Sequence, residues 1–574
     1  MKTVRAVVLA AMAAAVFLFS WFLRFSDPNG SFAGLTDDHF FYLVRGWQIL
    51  YGDLPVRDFV DHGAPLYYYV AAAVQLLFGR GTLSELAFSV TAVSLAAALT
   101  FWLAARASGS LLAGLAGAAV QIALTPRFYN YPKILVYTAA VPLLWWFADR
   151  PGRKPLFWLA VTTAVGGLLR LDHGAFVGAS VALLLLMLSH LSWRQRAGYA
   201  LFYAAVTIAL LSPYLIFIQV YGGVDSYMEQ AMSWAARERE RTPIVWPGLF
   251  DYPDGMSDAA REGEPLARTV AVLRDNAEAW WYYVEIALPA FALGVLALAR
   301  DAGRPGWGPA TAKIAVVAAL GLILDAGFLR SPLSARLADP SVPFAILIAW
   351  LLAVLLRLAW RRDAWRAGVE RWRAPLTAAA LLTGAAFAFV ITGLSAATIA
   401  RQVAIVGVLE GVRVPLRQAA HVADTVRQDW ELKTWEAREN RPELITLAMY
   451  LNACTPPNAR IFVQPYVPAV LPMARRGFAG GHADLRPGFF TTESAQRLTI
   501  ERLQRQDVPA ALLETGQSLE NFRRSFPLIT AYLDENYSVA GTHVFDERFG
   551  ITLLLHKRVR PTHSFADLSW PCAS

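Results

Sequence analysis

The stretch Phe344–Leu356 reads FAILIAWLLAVLL and contains no charged residue. Two other stretches, Val4–Leu23 and Phe176–Leu188, are almost as apolar. Runs of this kind are typical of helices in a lipid bilayer, because about 20 mostly apolar residues are needed to cross its hydrocarbon core. The sequence therefore predicts a polytopic α-helical membrane protein.

The overall composition supports the same fold class. Of the 574 residues, 56% are hydrophobic and only 17% are charged, whereas about a quarter of the residues in a soluble domain are charged. This composition excludes intrinsic disorder, a coiled coil and a disulfide scaffold. The net charge of +8 comes mostly from Lys and Arg between the apolar runs, where such residues orient loops and meet lipid headgroups. We therefore expect membrane lipids, and no nucleic acid, as partners.

The apolar runs divide the chain into two predicted domains. Residues 1–397 are expected to form a transmembrane domain of about eleven to thirteen helices, with external loops at 26–64 and 222–279. Residues 398–574 contain no run long enough to cross a bilayer and are expected to form a soluble α/β domain. The expected location is a bacterial-type inner membrane, with the C-terminal domain in the periplasm.

The C-terminal domain carries both the strand patterns and the two cysteines. The strand patterns are Ala459–Gln464, Pro509–Leu513 and Gly550–His556. Cys454 and Cys572 could pair in an oxidising periplasm, and two cysteines exclude a cysteine-based metal site. Pairing is left open by the sequence.

The most informative polar stretch follows the first apolar run. It reads GLTDDHFFY over Gly34–Tyr42, followed by GDLPVRDFVDHGAPLYYY over Gly52–Tyr69. One of the adjacent carboxylates Asp37 and Asp38 could take a proton from an incoming hydroxyl as a general base, while the other orients that hydroxyl or binds a metal. Alternatively, Thr36 or Asp37 caps a helix that starts near Asp38, since both residue types are favoured at that position.

These features, in this order, resemble the GT-C superfamily of integral-membrane glycosyltransferases. The members most similar are the bacterial polyprenyl-phosphate-dependent transferases related to protein O-mannosyltransferases and aminoarabinose transferases, and the resemblance covers roughly residues 1–360. It implies an inverting enzyme with Asp37 as the catalytic base and Asp38 assisting. The stretch Arg127–Lys133, where the family often has a second acidic residue, contains no Asp or Glu. A divalent metal cofactor is therefore left open, and Arg127 and Lys133 could instead bind phosphate.

Three arginines are candidates for contact with the phosphate of a lipid-linked donor: Arg57, Arg170 and Arg336. A guanidinium suits a phosphodiester because it donates two parallel hydrogen bonds and keeps its charge. Arg170 could instead pair with Asp172, and Arg336 could be an arginine that reaches the membrane interface. In the loop 222–279, Tyr227 is a candidate for stacking on a sugar.

The sequence thus predicts a glycosyltransferase that moves a sugar from a polyprenyl-phosphate donor to a lipid, glycan or protein acceptor on the external face. The alternatives are a secondary transporter or lipid flippase, and a non-catalytic membrane scaffold. Transporters often show repeated halves with broken helices at the bilayer midplane. The sequence shows no matching halves, and its acidic pair lies in a loop.

Overall fold

The computed structural model describes residues 2–27, 37–124, 127–241, 246–248, 262–298, 308–330, 336–360, 373–430, 442–546 and 549–573. The chain forms two compact units. The first contains Met1–Ser31, Ser89–Pro213 and Ala235–Ala419, and the second contains Phe32–Phe88, Tyr214–Trp234 and Ala420–Ser574. The predicted division of the sequence at residue 397 stays a prediction.

The apolar part of the chain is built mainly from helices. Its helices are α1 (Lys2–Phe25), α2 (Asp37–Leu50), α3 (Pro65–Phe78), α4 (Thr82–Ser108), α5 (Leu111–Ala123), α6 (Tyr131–Asp149), α7 (Arg153–Leu169), α8 (Leu171–Met187), α9 (Trp193–Tyr221), α10 (Val224–Arg241), α11 (Pro265–Asp275), α12 (Ala277–Leu298), α13 (Pro309–Arg330), α14 (Ser341–Trp360) and α15 (Arg373–Val406). The runs Val4–Leu23 and Phe344–Leu356 lie in α1 and α14, and the run Phe176–Leu188 lies in α8 except for its last residue, so the predicted helical class is confirmed.

Five of the described helices are long and apolar enough to cross a membrane, judged by length and composition. They contain the segments Ala6–Phe25, Thr82–Ser108, Trp193–Tyr221, Ala279–Ala297 and Pro309–Gly327. Shorter apolar helices accompany them, and the total number of crossings stays a prediction. In α9 only 6% of the apolar window is buried inside the protein, as expected for a helix that faces lipid on most sides.

Small residues allow close helix packing in the first unit. A Cβ atom on Gly117 of α5 would lie 2.7 Å from the carbonyl oxygen of Ala345 in α14. A Cβ on Gly174 of α8 would lie 2.8 Å from Gly167 of α7. Helix association in lipid relies on such close backbone approach. Lipid tails are as apolar as the helix surfaces, so van der Waals packing holds the helices together and the hydrophobic effect does not.

The second unit contains α2, α3 and an α/β region. The helices of this region are α16 (Arg413–Trp430), α17 (Pro442–Cys454), α18 (Val470–Ala474), α19 (Glu493–Arg505), α20 (Gln517–Ser525) and α21 (Pro527–Asn536). The strands are β1 (Arg460–Val463), β2 (Gly477–Phe478), β3 (Ala510–Glu514), β4 (Tyr537–Val544), β5 (Gly550–His556), β6 (Ser564–Phe565) and β7 (Trp570–Pro571). The predicted C-terminal α/β structure is therefore confirmed.

The main sheet has the strand order β2-β1-β3-β5-β4. Strand β1 pairs in parallel with β2 and β3, whereas β5 runs antiparallel to β3 and β4. A disulfide joins Cys454, the last residue of α17, to Cys572 after β7. The pairing that the sequence left open is thus formed.

Candidate active site

The predicted catalytic carboxylates lie at the start of α2. Asp37 is the first residue of this helix, and its side chain lies outside the described residues. The Asp38 side chain is exposed, and its Oδ1 accepts a hydrogen bond of 3.2 Å from the Tyr466 hydroxyl. The Arg486 guanidinium lies 4.6 Å from the centre of the Tyr466 ring. Asp38 is therefore accessible to solvent and is oriented by the α/β region.

A buried cation lies two turns along the same helix. Arg45 is 1% exposed and donates a 2.6 Å hydrogen bond to the carbonyl oxygen of Phe41. Its guanidinium lies 3.6 Å from the centre of the Phe41 ring. Burial lowers the pKa of Arg45, and the nearby Asp484 carboxylate acts in the opposite direction. Arg45 therefore places a fixed positive charge about two helical turns after the acidic residues that start α2.

The turn that follows α2 is held by its own carboxylate. The Oδ2 atom of Asp58 accepts a 2.8 Å hydrogen bond from the backbone N–H of Leu54 and lies 2.6 Å from Nη2 of Arg57. The hydrogen bond to Asp58 raises the pKa of Arg57. The Arg57 side chain nevertheless keeps 39% of its surface exposed, so this predicted phosphate ligand is accessible to solvent.

The same turn is docked on the α/β region. Arg502 of α19 donates hydrogen bonds to the carbonyl oxygens of Val56 and Arg57, at 3.0 and 3.1 Å. The N–H of Val60 donates to the carbonyl of Gly481 at 3.0 Å. Gly481 has a φ of +87°, and a Cβ there would lie 2.4 Å from Nη1 of Arg502. Only glycine fits this backbone conformation and this space without strain.

Asp61 is the best-bound carboxylate of the loop. Its Oδ1 accepts hydrogen bonds from the N–H groups of Gly63 and Ala64, at 2.9 and 3.0 Å. Its Oδ2 accepts from the hydroxyls of Tyr214 and Tyr227, both at 2.6 Å. Four donors bind the two oxygens of Asp61, so this carboxylate positions the loop against α9 and α10.

The rings of two histidines, His482 (buried) and His62 (half-buried), lie near Phe490. The ring centroids of His482 and Phe490 are 4.7 Å apart, and those of His62 and Phe490 are 6.3 Å apart. Burial, with the nearby cations Arg502 and Arg45, lowers the pKa of His482 to about 3. Burial and Arg45 also lower the pKa of His62 well below its usual value. Both imidazoles are therefore neutral at physiological pH.

The other predicted phosphate ligands lie in the first unit. Arg170 pairs with Asp172 at 3.0 Å, as the alternative interpretation of the sequence proposed, and its guanidinium is 33% exposed. Arg336 is half-buried in the turn that precedes α14. Lys133 pairs with both oxygens of Asp339, each at 2.8 Å. The phosphate-binding roles of Arg57, Arg170 and Arg336 stay predictions.

Sequence reasoning did not single out Asp61 or its tyrosines. The spacing Asp61-His62-Gly63 before a proline-initiated helix is a local signal for an Asp side chain that binds the backbone two residues on. Its tyrosine partners are separated from it by 153 and 166 residues, so no local pattern indicates them. Tyr227, expected to stack on a sugar, uses its hydroxyl to hold this loop.

Among the described residues, one group of three side chains has its ligand atoms close enough to hold a metal: Cys454, His563 and Cys572. Both cysteines are consumed by the disulfide, so this group is structural. Whether the acidic start of α2 could hold a divalent metal depends on the Asp37 side chain, which lies outside the described residues.

No model of a protein family matches this chain, and no curated protein matches it. Among solved structures, the chain is similar to ArnT from Cupriavidus metallidurans bound to undecaprenyl phosphate, with a TM-score of 0.46 and 12% identity, over 96% of this chain and 98% of that one. It is also similar to the same ArnT in the apo state, with a TM-score of 0.44, 12% identity and the same coverage.

Proposed function

We propose that this protein is a membrane glycosyltransferase that transfers a sugar from a polyprenyl-phosphate donor to a hydroxyl acceptor on a lipid, glycan or protein. The observation that carries the proposal is the exposed carboxylate of Asp38, held by Tyr466 at the start of α2. It lies next to Asp37, in a chain with several helices long enough to cross a membrane. Because the Asp38 side chain is exposed, the hydroxyl of an acceptor can approach it from the aqueous side.

The proposed reaction is a single inverting displacement at the anomeric carbon. The acceptor oxygen forms a bond to this carbon while the carbon–oxygen bond to the phosphate breaks. The proton of the acceptor hydroxyl passes to the carboxylate of Asp37, with Asp38 assisting, and the polyprenyl phosphate leaves with the bonding electron pair. A positioned general base of this kind contributes about 10²–10⁴-fold to a rate.

The leaving phosphate gains negative charge in this step, so cations near it lower the barrier. Arg57 and Arg170 support this role because each has an exposed part of its guanidinium beside an acidic partner. Arg336, in the turn before α14, is the third candidate. We propose that these side chains exchange part of their contacts for the donor phosphate.

The proposed location is a bacterial-type inner membrane with the α/β region in the periplasm. The disulfide between Cys454 and Cys572 supports this placement, because disulfides persist in oxidising compartments and are rare in the cytosol.

The test is transfer of radiolabelled sugar, in membranes, from a panel of polyprenyl-phosphate sugars that begins with undecaprenyl phosphate as the lipid. Wild type is compared with Asp37→Asn and Asp38→Asn. Glu520→Gln is the matched control, since Glu520 is an exposed carboxylate in the first turn of α20. We expect transfer by wild type and by the control, and a loss of about 10²-fold or more in Asp37→Asn.

Equal transfer by wild type, Asp37→Asn and Asp38→Asn would refute the catalytic assignment and leave Asp37 as a helix-starting residue. Absence of transfer from every donor, with uptake or lipid movement in the same vesicles, would instead favour the transporter or flippase alternative. The phosphate-binding role is tested separately from the catalytic base with Arg57→Gln, Arg170→Gln and Arg336→Gln. Loss of a contact to the donor phosphate should raise the KM for the lipid donor.

A further inference from the structure

Two carboxylates are buried in helices that are long and apolar enough to cross the membrane. Glu285 of α12 lies in the segment Ala279–Ala297 and is 0% exposed. Asp325 of α13 lies in the segment Pro309–Gly327 and is 4% exposed. Ionisable residues at such positions are costly and mark functional sites more often than structural ones.

The packing of α12 against α13 brings these two side chains to the same level. A Cβ on Gly321 would lie 3.0 Å from Cγ of Pro289 and 3.8 Å from Cβ of Pro343, so α12, α13 and the start of α14 meet here. Glu285 precedes Pro289 by one turn, and Asp325 follows Gly321 by one turn. Residues four apart share a helix face, and the charge of Asp325 acts on Glu285.

Neither carboxylate has a hydrogen-bond partner within the described part of the chain. The two carboxylate oxygens of Glu285 and the two of Asp325 are buried there without a donor. The charge of Asp339 also acts on Glu285, but Asp339 has Lys133 as its ion-pair partner. An ionised carboxylate without a partner in a low-dielectric interior is strongly unfavourable.

We propose that Glu285 and Asp325 bind a divalent cation of the Mg²⁺ or Mn²⁺ type. Carboxylate and hydroxyl oxygens are the ligands that these hard cations prefer. The two side chains supply four unused oxygens, and the hydroxyl of Ser341, at the start of α14, is likewise buried and without a hydrogen-bond partner among the described residues.

The bound cation would neutralise both carboxylates and join α12 to α13. This proposal does not rest on the transferase function, since the ligands are separate from the residues assigned to the reaction and its test measures no sugar transfer.

The test uses the full chain in lipid nanodiscs, stripped with EDTA, with Mn²⁺ as the probe. Free Mn²⁺ is measured by its electron paramagnetic resonance signal during titration. We expect one Mn²⁺ per chain in wild type and binding weakened by about tenfold or more in Glu285→Gln and Asp325→Asn. Asp149→Asn is the control, because Asp149 is a partly exposed carboxylate of the same unit that already pairs with Lys313, and it should bind Mn²⁺ like wild type.

Melting temperature gives a second readout that needs no comparison of affinities. We expect EDTA to lower the melting temperature of wild type and to leave that of Glu285→Gln and Asp325→Asn unchanged. Equal Mn²⁺ binding by wild type and both variants would overturn the proposal. So would an absence of binding by wild type together with equal or higher melting temperatures of the variants, since the carboxylates would then be protonated acids.

Discussion

Acidification should destabilise the second unit through its buried histidines. The pKa of His482 falls from the usual 6.5 to about 3 in the folded chain, so between these values the unfolded state binds more protons than the folded state. Stability is therefore complete above pH 6.5 and is lost as the pH falls towards 3. pH 5 lies 1.5 units below the pKa of about 6.5 in the unfolded chain, and each unit changes the free energy of unfolding by about 1.36 kcal/mol. The expected loss of stability at pH 5 is therefore about 2 kcal/mol.

The assay is hydrogen exchange with mass spectrometry on the peptide around His482, between pH 8 and pH 5, with correction for the intrinsic exchange rates. We expect the protection factor of wild type to fall about 30-fold more than that of His482→Gln, which has no proton to take up. His563→Gln, which changes an exposed histidine of the same unit, should follow wild type. If the pH dependence of His482→Gln coincides with that of wild type, the reasoning is wrong.

Three further predictions concern stability, measured by equilibrium unfolding in mixed micelles. Tyr214→Phe removes one of the hydrogen bonds to the Asp61 carboxylate and should cost about 1.5–3 kcal/mol, and an unchanged midpoint would contradict the positioning role. Lys133→Met leaves the half-buried Asp339 carboxylate without its partner and should cost about 1–3 kcal/mol. Adding Asp339→Leu should recover part of this loss, whereas additive costs in the double-mutant cycle would exclude coupling. Cys454→Ser opens a disulfide that spans 118 residues and should cost about 2–5 kcal/mol, and wild type under reductant should match it.

The helices were predictable because their signal is local. A run such as Phe344–Leu356 is stable only in an apolar environment, and it lies wholly within α14. In the α/β region, the pattern Gly550–His556 matches β5 residue for residue. Strand β4 was missed because most of its residues are exposed or half-buried and Gly541 lies within it, so it has no continuous apolar pattern.

The site was less predictable because its contacts join distant parts of the sequence. The acidic pair and the turn after it were found from residue order alone. The ion pair between Lys133 and Asp339 spans 206 residues, so no local pattern indicates that the two side chains meet. Glu285 was hidden for another reason, because one carboxylate in a long apolar run hardly changes its hydropathy.

The side chain of Gln48 acts on β2 as a neighbouring strand would. Its Nε2 donates a 3.0 Å hydrogen bond to the carbonyl of Phe478, and its Oε1 accepts a 3.1 Å hydrogen bond from the N–H of the same residue. Strand β2 is at the edge of the sheet, where an unpaired backbone invites another chain. A recombinant fragment that starts at residue 398 would lack Gln48 and bare this edge, so we expect it to self-associate, whereas a fragment that retains α2 would stay monomeric.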